Sequence, residues 1–316
     1  MSAEFGYEIS YGKLQVPLYR VYGRPLEGLA TIPESAFTGR ANTLVGMEVD
    51  VEVFGEIFLP AYTHGDNSNV VATDSMKNIV LRQALAHNGA TQEGFLYELG
   101  RHFLTTYSHM ERLRLTAREM PFAAAQVRVD GVGFGASDRV YSLTRGDYAT
   151  ATLDFQRDGD GQPVLIAQRS GRTGMLLLKV TGSAFTRFVR DDYTTLPERG
   201  DRPLFIALDV FWEYANPLDM LADPPERYVA AEQVRDLVQV VFHEMVSESI
   251  QHLVHEMGQR LLLRFPQLAA VSFTGQNRTP DPMAVSETDP KVKVYSTPFP
   301  AYGLIKLTVR RNESRG

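Results

Sequence analysis

Asp74-Ser-Met-Lys-Asn-Ile-Val-Leu-Arg-Gln-Ala-Leu-Ala-His87 carries apolar side chains at the spacing of an α-helix. The helix-start signal Thr73-Asp-Ser75 stands at its beginning, and the turn-forming pair Asn88-Gly89 follows its end. A second run with helical spacing covers residues 92–107. Because only a short turn separates the two runs, we predict a helical hairpin.

The segments on either side of this hairpin have the pattern of β-strands. Strands are predicted at residues 13–22, 43–58, 113–129 and 140–155. The glycine-rich segment 131–135 lacks the Gly-Lys-Ser/Thr ending of a phosphate-binding loop, so we interpret it as a turn. The first half of the chain therefore has the predicted order strand, strand, helix, helix, strand, strand.

The second half of the chain repeats this order. Strands are predicted at residues 164–180, 203–214, 269–274 and 293–309, and helices at 231–246 and 250–264. A loop rich in glycine and aspartate, residues 157–163, separates the halves. The repetition predicts an α+β protein made of two copies of one ββααββ unit, residues 1–158 and 159–316.

The composition is that of a folded protein, with 44% apolar and 22% charged residues. A net charge of -6 gives no overall positive field for nucleic acid or anionic lipid. The absence of cysteine excludes disulfides and thiolate chemistry, and the seven histidines form no metal-binding pattern. Since the sequence has neither a basic leader nor an apolar run of membrane-spanning length, we expect a cytoplasmic protein with no membrane contact.

The stretch Phe185-Thr-Arg-Phe-Val-Arg-Asp-Asp-Tyr-Thr-Thr-Leu-Pro-Glu-Arg-Gly-Asp-Arg202 joins two predicted strands and combines aromatic rings with guanidinium groups. An aromatic face can stack on a planar ring, and an arginine can bind an oxyanion through two parallel hydrogen bonds. Phe185 and Arg202 could therefore hold a flat, anionic heterocycle. The alternative is a surface loop with a core phenylalanine and a solvated arginine.

Three other positions are candidates for anion binding or proton transfer. Thr73 and Asp74 begin a predicted helix, whose first N–H groups can bind an anion, although either residue could simply cap the helix. Ile250 and Gln251 occupy the equivalent position in the second half. Lys13, near the start of the first strand, is either solvated or, beside a threonine hydroxyl, a proton shuttle.

Several short motifs, taken together, resemble the urate oxidase (uricase) family and follow that family's order along nearly the whole chain. They are Tyr11-Gly-Lys13, Val71-Ala-Thr-Asp-Ser-Met-Lys-Asn78, Thr106-Tyr-Ser-His109, Phe185-x-x-Phe-x-x-Asp-x-Tyr-Thr-Thr-Leu196, Asp201-Arg202 and Ser249-Ile-Gln251. The resemblance implies a tunnelling fold, in which two ββααββ repeats form antiparallel sheets with helices on one face. It also implies a barrel-like homotetramer with active sites between subunits.

The resemblance implies a reaction as well, the oxidation of urate by dioxygen and water to 5-hydroxyisourate and hydrogen peroxide, with no metal or other cofactor. An electron-rich purine dianion can give an electron to dioxygen directly, so the protein has to remove protons and orient the substrate. Two other functions stay open. One is a different tunnelling-fold enzyme acting on purines or pterins, and the other is a purine-binding protein that has lost catalysis.

Matching the motifs position by position implies a substrate clasp. Phe185 matches the aromatic residue that stacks on the purine. Arg202 and Gln251 match the pair that holds its polar edge, where Ile250 would offer a backbone amide. Together these four residues would form one wall of the site.

The same matching implies a second wall and a proton relay. Thr73 and Asp74 would approach the opposite edge of urate from a neighbouring subunit, and Lys13 with Thr73 would move protons. Many family members also carry Asn-Lys-His on a late strand, for which the nearest match is Asn277-Arg-Thr279. Asn277 would face the dioxygen or water site, and Thr279 would replace the histidine as the third member of the relay. Because threonine has no basic pKa near neutrality, we expect an altered pH dependence of turnover.

Overall fold

A computed structural model describes residues 5–129, 131, 133–278, 280–296 and 300–312. In chain order the strands are β1 Ser10–Val21, β2 Leu44–Phe54, β3 Arg112–Met120, β4 Phe122–Val129, β5 Gly133–Leu143, β6 Tyr148–Arg157, β7 Pro163–Lys179, β8 Leu204–Tyr214, β9 Leu268–Asn277, β10 Asp281–Val285, β11 Lys293–Ser296 and β12 Gly303–Arg310. The helices are α1 Leu59–Thr63, α2 Thr73–Ala86, α3 Gln92–Thr106, α4 Ala231–Glu244 and α5 Ile250–Arg264. Antiparallel pairing joins β1 to β2, β2 to β3, β3 to β6, β8 to β9 and β9 to β12. The fold is α+β with antiparallel sheets, which confirms the predicted class.

The chain forms two compact units. Unit 1 contains the described residues within 1–30, 38–170 and 216–228, and unit 2 contains those within 31–37, 171–215 and 229–316. Each unit is assembled from separate parts of the chain, whereas the predicted repeats are continuous. The repeat boundary near residue 158 therefore stays a prediction.

The core of unit 1 lies between its sheet and α3. The strand order is β1-β2-β3-β6, followed by the first part of β7. Alternate side chains of β2 point inward, and Val49, Val51 and Val53 are completely buried. α3 packs on β3 and β6 so closely that a Cβ added at Gly100 would lie 2.3 Å from the ring of Phe155. Glycine at this position therefore sets the distance between helix and sheet.

A buried carboxyl group lies in the core of unit 1. The hydroxyl of Ser170 donates to Glu93 at 2.7 Å, and the hydroxyl of Tyr228 donates to its other oxygen at 3.0 Å. Gln168 in turn donates to the Ser170 oxygen at 2.9 Å. Burial raises the pKa of the Glu93 carboxyl above its ordinary value, and the two hydroxyl donors partly oppose that change.

The core of unit 2 also lies between strands and helices. The strand order is β8-β9-β12, preceded by the last part of β7, and β8 alternates strictly between buried and half-buried side chains. α5 packs on β9 and β12, and α4 packs against α5. A Cβ added at Gly258 of α5 would lie 2.6 Å from Val309 of β12. In each unit, therefore, a glycine allows a helix to pack closely against the strands.

The predicted helical hairpins are confirmed, and so are the strands predicted at residues 13–22, 164–180, 203–214 and 269–274. The strand predicted at 140–155 is two strands, because β5 ends at Leu143 and β6 begins at Tyr148. The prediction of a strand over residues 43–58 is wrong beyond Phe54, because Gly55 has a φ of 145°, and a 3₁₀ turn follows at Glu56–Phe58. The single strand predicted at 113–129 is two strands. Pro121, which lacks a backbone N–H, separates β3 from β4, and β4 forms a separate hairpin with β5.

The last predicted strand, residues 293–309, also consists of two. β11 pairs with β10 in a second two-stranded sheet, and only β12 pairs with β9. Both unpredicted hairpins lie outside the sheets that form the two cores.

Candidate active site

The first group of candidate residues lies in unit 1, where β1 packs beside α2. Thr73 is the first residue of α2, and no described side chain caps the helix at Ala72. The Asp74 carboxylate instead accepts hydrogen bonds from Lys77 and, at 3.0 Å, from Asn78. The alternative that Thr73 or Asp74 caps this helix is therefore wrong. The first N–H groups of α2 stay available to an anion.

Lys13 lies close enough to the start of α2 to act on it electrostatically. The hydrogen bond from Lys77 lowers the pKa of the Asp74 carboxyl, and the positive charge of Lys13 adds to that effect. Lys13 is half-buried, and the pairing of β1 with β2 shifts register between Lys13 and Val16. Such a bulge changes the direction of nearby side chains. The structure thus brings Lys13 and Asp74 into one neighbourhood.

Two side chains hold the segment that leads into α2. The hydroxyl of Tyr11 accepts a hydrogen bond from the backbone N–H of Val71 at 2.9 Å, and burial raises the pKa of this phenol. The Nε2 atom of His109 lies 2.9 Å from the carbonyl oxygen of Asn69, to which it can only donate. Val71 is two residues before Thr73, so these bonds fix the position of the helix start.

The second group of candidate residues lies in unit 2. Phe185 forms an antiparallel bridge with Arg199, through backbone hydrogen bonds of 2.9 and 3.1 Å. The ring of Phe188 stacks on that of Phe185, with 4.9 Å between centroids and 11° between planes. The guanidinium carbon of Arg202 lies 5.3 Å from the centroid of the Phe185 ring. The aromatic face and the guanidinium group predicted from the sequence therefore lie together.

Arg202 is a buried cation, with only 8% of its surface exposed. Burial lowers the pKa of its guanidinium group, and the positive charge of Arg199 lowers it further. Both effects disfavour the charged form, so an anion bound beside Arg202 would relieve them. Of the two alternatives for Arg202, a solvated surface arginine is therefore wrong.

Backbone hydrogen bonds align the segments that carry these residues. The N–H of Arg202 donates to the carbonyl of Ser183 at 2.8 Å, and the N–H of Ala184 donates to the carbonyl of Ser247 at 2.8 Å. The Asp201 carboxylate accepts from the residues that precede Ser183, at 2.7 Å each. These bonds place the Arg202 segment, the Phe185 segment and the approach to α5 side by side.

Helix α5 begins at Ile250, as predicted. Ser249 caps it by accepting a hydrogen bond from the N–H of His252 at 3.1 Å. The Ile250 side chain is buried, while Gln251 is exposed in the first turn of the helix. Gln251 is therefore accessible to a ligand at the helix start.

Asn277 is the last residue of β9. It pairs with Ile206 of β8 and with Gly303 of β12, and the N–H of Arg278 donates to the carbonyl of Phe205 at 3.0 Å. Since β8 starts two residues after Arg202, Asn277 lies at the same end of the sheet as Arg202. The next candidate, Thr279, lies outside the described residues.

Within the described ranges, no group of three or more histidine, aspartate or glutamate side chains is arranged to hold a metal ion. No helix in the same ranges is both long and apolar enough to cross a membrane. What unit 2 does offer is a flat aromatic ring, a buried cation and an exposed amide. This combination suits a planar anion with several oxygen atoms.

Side-chain patterns in the sequence predict the residues that would touch a ligand but not the residues that hold them in place. Tyr11 and His109 stand out only as parts of motifs, Ser247 only as part of the break between two helices, and Ser183 has no signal of its own. Ser183 and Ser247 act mainly through backbone atoms, which leave no signal in side-chain patterns. Only the motif context of Tyr11 and His109 marks them in the sequence.

Comparisons with known proteins agree with this chemistry. A family model described as Uricase matches residues 52–145 and 168–306. The uricase of Haloferax volcanii is 52% identical over 272 residues, which cover 86% of this chain and 88% of the relative. The uric acid degradation bifunctional protein PucL of Bacillus subtilis is 46% identical over 97% of this chain, which spans 62% of that protein. A crystal structure of urate oxidase from Bacillus sp. TB-90 is similar at a TM-score of 0.94 and 44% identity, covering 96% of this chain and 100% of that one.

Proposed function

The chain belongs to the uricase family and acts as a urate oxidase, and we propose that it oxidises urate with dioxygen and water and without a cofactor. Urate, dioxygen and water would give 5-hydroxyisourate and hydrogen peroxide. The purine supplies two electrons and dioxygen accepts them, so the reaction balances without a redox group on the protein. The protein would contribute deprotonation, stacking and orientation.

The proposal for the substrate clasp depends mainly on one observation, the buried Arg202 guanidinium beside the Phe185 ring. Urate is a planar anion, and Phe185 would stack on it while Arg202 donates two charge-assisted hydrogen bonds to its edge. Gln251 would complete the clasp from the first turn of α5, together with the backbone N–H of Ile250. Asn277, at the same end of the sheet, would face the dioxygen or water site.

Lys13 and Thr73 would form the proton relay. Lys13 is half-buried and lies near the start of α2, and the hydroxyl group of Thr73 belongs to the first helical residue. A lysine in such a place can accept a proton through a hydroxyl and return it to the product. Asp74 would help to bind the opposite edge of urate. We propose Thr279 as a third member of the relay.

We propose further that the chain is a tunnelling fold of two tandem repeats. α2 and α4 both have 14 residues, and α3 and α5 both have 15. Gly100 and Gly258 each follow the first residue of their helix by eight positions, from Gln92 and from Ile250. Such correspondence between two 15-residue helices is the pattern that duplication of one unit would leave.

The C-terminal ends of the same two helices support this proposal. Arg157 donates to the carbonyl oxygens of Leu104 and, at 3.0 Å, Tyr107 at the end of α3. Arg311 donates to the carbonyl of Leu262 near the end of α5 and, at 2.8 Å, to that of Leu268. Each arginine follows the last strand of its predicted repeat or ends it.

Assembly would complete the active site. In a homotetramer, Thr73 and Asp74 of one subunit would meet the Phe185 and Arg202 clasp of a neighbour. Light scattering of the purified protein should then give the mass of four chains. A monomer that turns over urate would contradict this arrangement.

The reaction is tested by adding urate to the purified protein in air. We expect the absorbance of urate to fall. One molecule of dioxygen should be consumed and one molecule of hydrogen peroxide formed for each urate oxidised. A strong chelator and prior dialysis should leave the rate unchanged. Loss of activity after chelation, with recovery on adding one metal, would refute the cofactor-free reaction but not the substrate clasp.

A further inference from the structure

The segment that joins α4 to α5, residues 245–249, has contacts to both sides of the proposed clasp. We call it the α4–α5 connector. Its Ser247 is completely buried and forms a bridge with Ser183, and the two hydroxyl groups lie 3.3 Å apart. Its last residue, Ser249, caps the helix that starts with Ile250 and Gln251. The position of the connector therefore affects both the Phe185 segment and the start of α5.

One side chain holds the first part of this connector. The Nζ atom of Lys179, the last residue of β7, donates to the carbonyl oxygens of Phe242 at 3.0 Å and Met245 at 2.7 Å. A longer contact of 3.4 Å reaches the carbonyl of His243. These carbonyls lie at the C-terminal end of α4, where they have no partner in the helix. A cation suits that end of a helix because the dipole is negative there.

The chain after Lys179 folds over the lysine side chain. Gly182 has a φ of 78°, and a Cβ there would lie 3.1 Å from Cε and 3.3 Å from Nζ of Lys179. The next residue is Ser183, which accepts from Arg202, and Phe185 follows two residues later. The half-buried Lys179 side chain therefore lies between the end of α4 and the turn that leads to the clasp.

We propose that Lys179 is a positioning residue for urate binding, fixing the α4–α5 connector and the Gly182 turn so that Gln251 and Phe185 meet the same substrate. It does not touch urate. This inference rests on the proposed clasp, and it concerns binding rather than proton transfer, because Lys13 and Thr73 belong to unit 1.

Lys179→Met tests the proposal, because methionine keeps most of the apolar stem and removes the three donors. Binding of urate is measured without dioxygen, so that no turnover occurs, and KM and kcat are measured in air. We expect Kd and KM to rise about 10-fold or more, because a displaced Gln251 loses its hydrogen bonds to urate and a loss of about 1.4 kcal/mol is a factor of ten in affinity. We expect kcat at saturating urate to change by less than about 3-fold.

Two variants separate positioning from a general loss of stability. Lys179→Arg keeps a cation at the end of α4 and should restore most of the affinity. Arg311→Met removes the equivalent donor from the end of α5 and should lower the unfolding temperature while leaving Kd for urate unchanged. If Arg311→Met weakens binding as much as Lys179→Met does, the positioning role is refuted.

A third variant and a second measurement keep the proposal testable if Lys179→Met folds poorly. If Lys179→Met does not accumulate as folded protein, Lys179→Gln is used, which keeps an amide group but removes the positive charge and shortens the side chain. Hydrogen exchange of the Ala184 amide, which bonds to Ser247, should be faster in either variant than in the wild type. Wild-type Kd in folded Lys179→Met or Lys179→Gln refutes the inference. Wild-type Kd in Arg202→Met refutes the proposed clasp instead.

Discussion

Replacing Arg202 by methionine should weaken urate binding by a large factor. The guanidinium is 8% exposed and lies 5.3 Å from the Phe185 centroid, so it is already largely desolvated before urate arrives. Truncating one partner of a buried, hydrogen-bonded charge pair costs about 2–5 kcal/mol. At about 1.4 kcal/mol for each factor of ten, the Kd for urate should rise from roughly 30-fold to a few thousand-fold.

The matched control is Arg199→Met. Arg199 belongs to the same loop, and its positive charge lowers the pKa of Arg202. Both variants remove one positive charge from this loop, but only Arg202 would contact urate. Calorimetry without dioxygen gives both Kd values, and thermal unfolding checks that both variants are folded. We expect Arg199→Met to change Kd by less than about 5-fold, as for a charge screened by solvent and salt. Equal Kd values for the two variants, or wild-type affinity in Arg202→Met, would refute a specific clasp.

Four further predictions follow from the site and the core. Lys13→Met should lower kcat by about 10²-fold or more but hardly change the Kd for urate measured without dioxygen, because the relay acts on protons; equal losses in both would assign Lys13 to binding. Thr279→His should introduce a titration near neutral pH into the pH–rate profile, and an unchanged profile would remove Thr279 from the relay. Tyr11→Phe leaves the Val71 N–H without its acceptor and should lower the free energy of unfolding by about 1–3 kcal/mol in urea denaturation. Burial raises the pKa of the Glu93 carboxyl above its ordinary value of 4.5, so the protonated form of Glu93 favours the folded state. The free energy of unfolding should therefore fall as the pH rises from 4.5 through the folded-state pKa. Glu93→Gln should abolish that fall in urea denaturation measured across this pH range.

The elements that the sequence predicted well are those with one buried face. α5 begins at Ile250 as predicted, since its amphipathic run is preceded by Ser249, whose hydroxyl caps the helix. The hairpins β4–β5 and β10–β11 were not predicted, because β4 and β11 were merged into longer strands and β10 has no buried face. β10 is exposed at four of its five positions, and Val285 and Val294 are exposed apolar residues. Without a buried face, a strand has no alternation to detect.

In the candidate site, too, some features could be predicted from the sequence and others could not. Phe185 and Arg202 could be found because stacking and bidentate binding each require a particular side chain. The alignment of their segments could not, since it depends on backbone bonds such as that from Arg202 to Ser183. Lys179 lies within the strand predicted at residues 164–180, and its role could not be predicted because it depends on where α4 ends in space.

The glycines at the two helix–sheet contacts are exceptions to a common rule of protein engineering. Exchange of a helical glycine for alanine usually stabilises a protein by about 0.4–1 kcal/mol. At Gly100 and Gly258, however, the new methyl group would lie 2.3 and 2.6 Å from Phe155 and Val309. Substitutions meant to raise the thermal stability of this enzyme should therefore be made at other positions. An alanine at either position would push a helix away from the sheet that it covers.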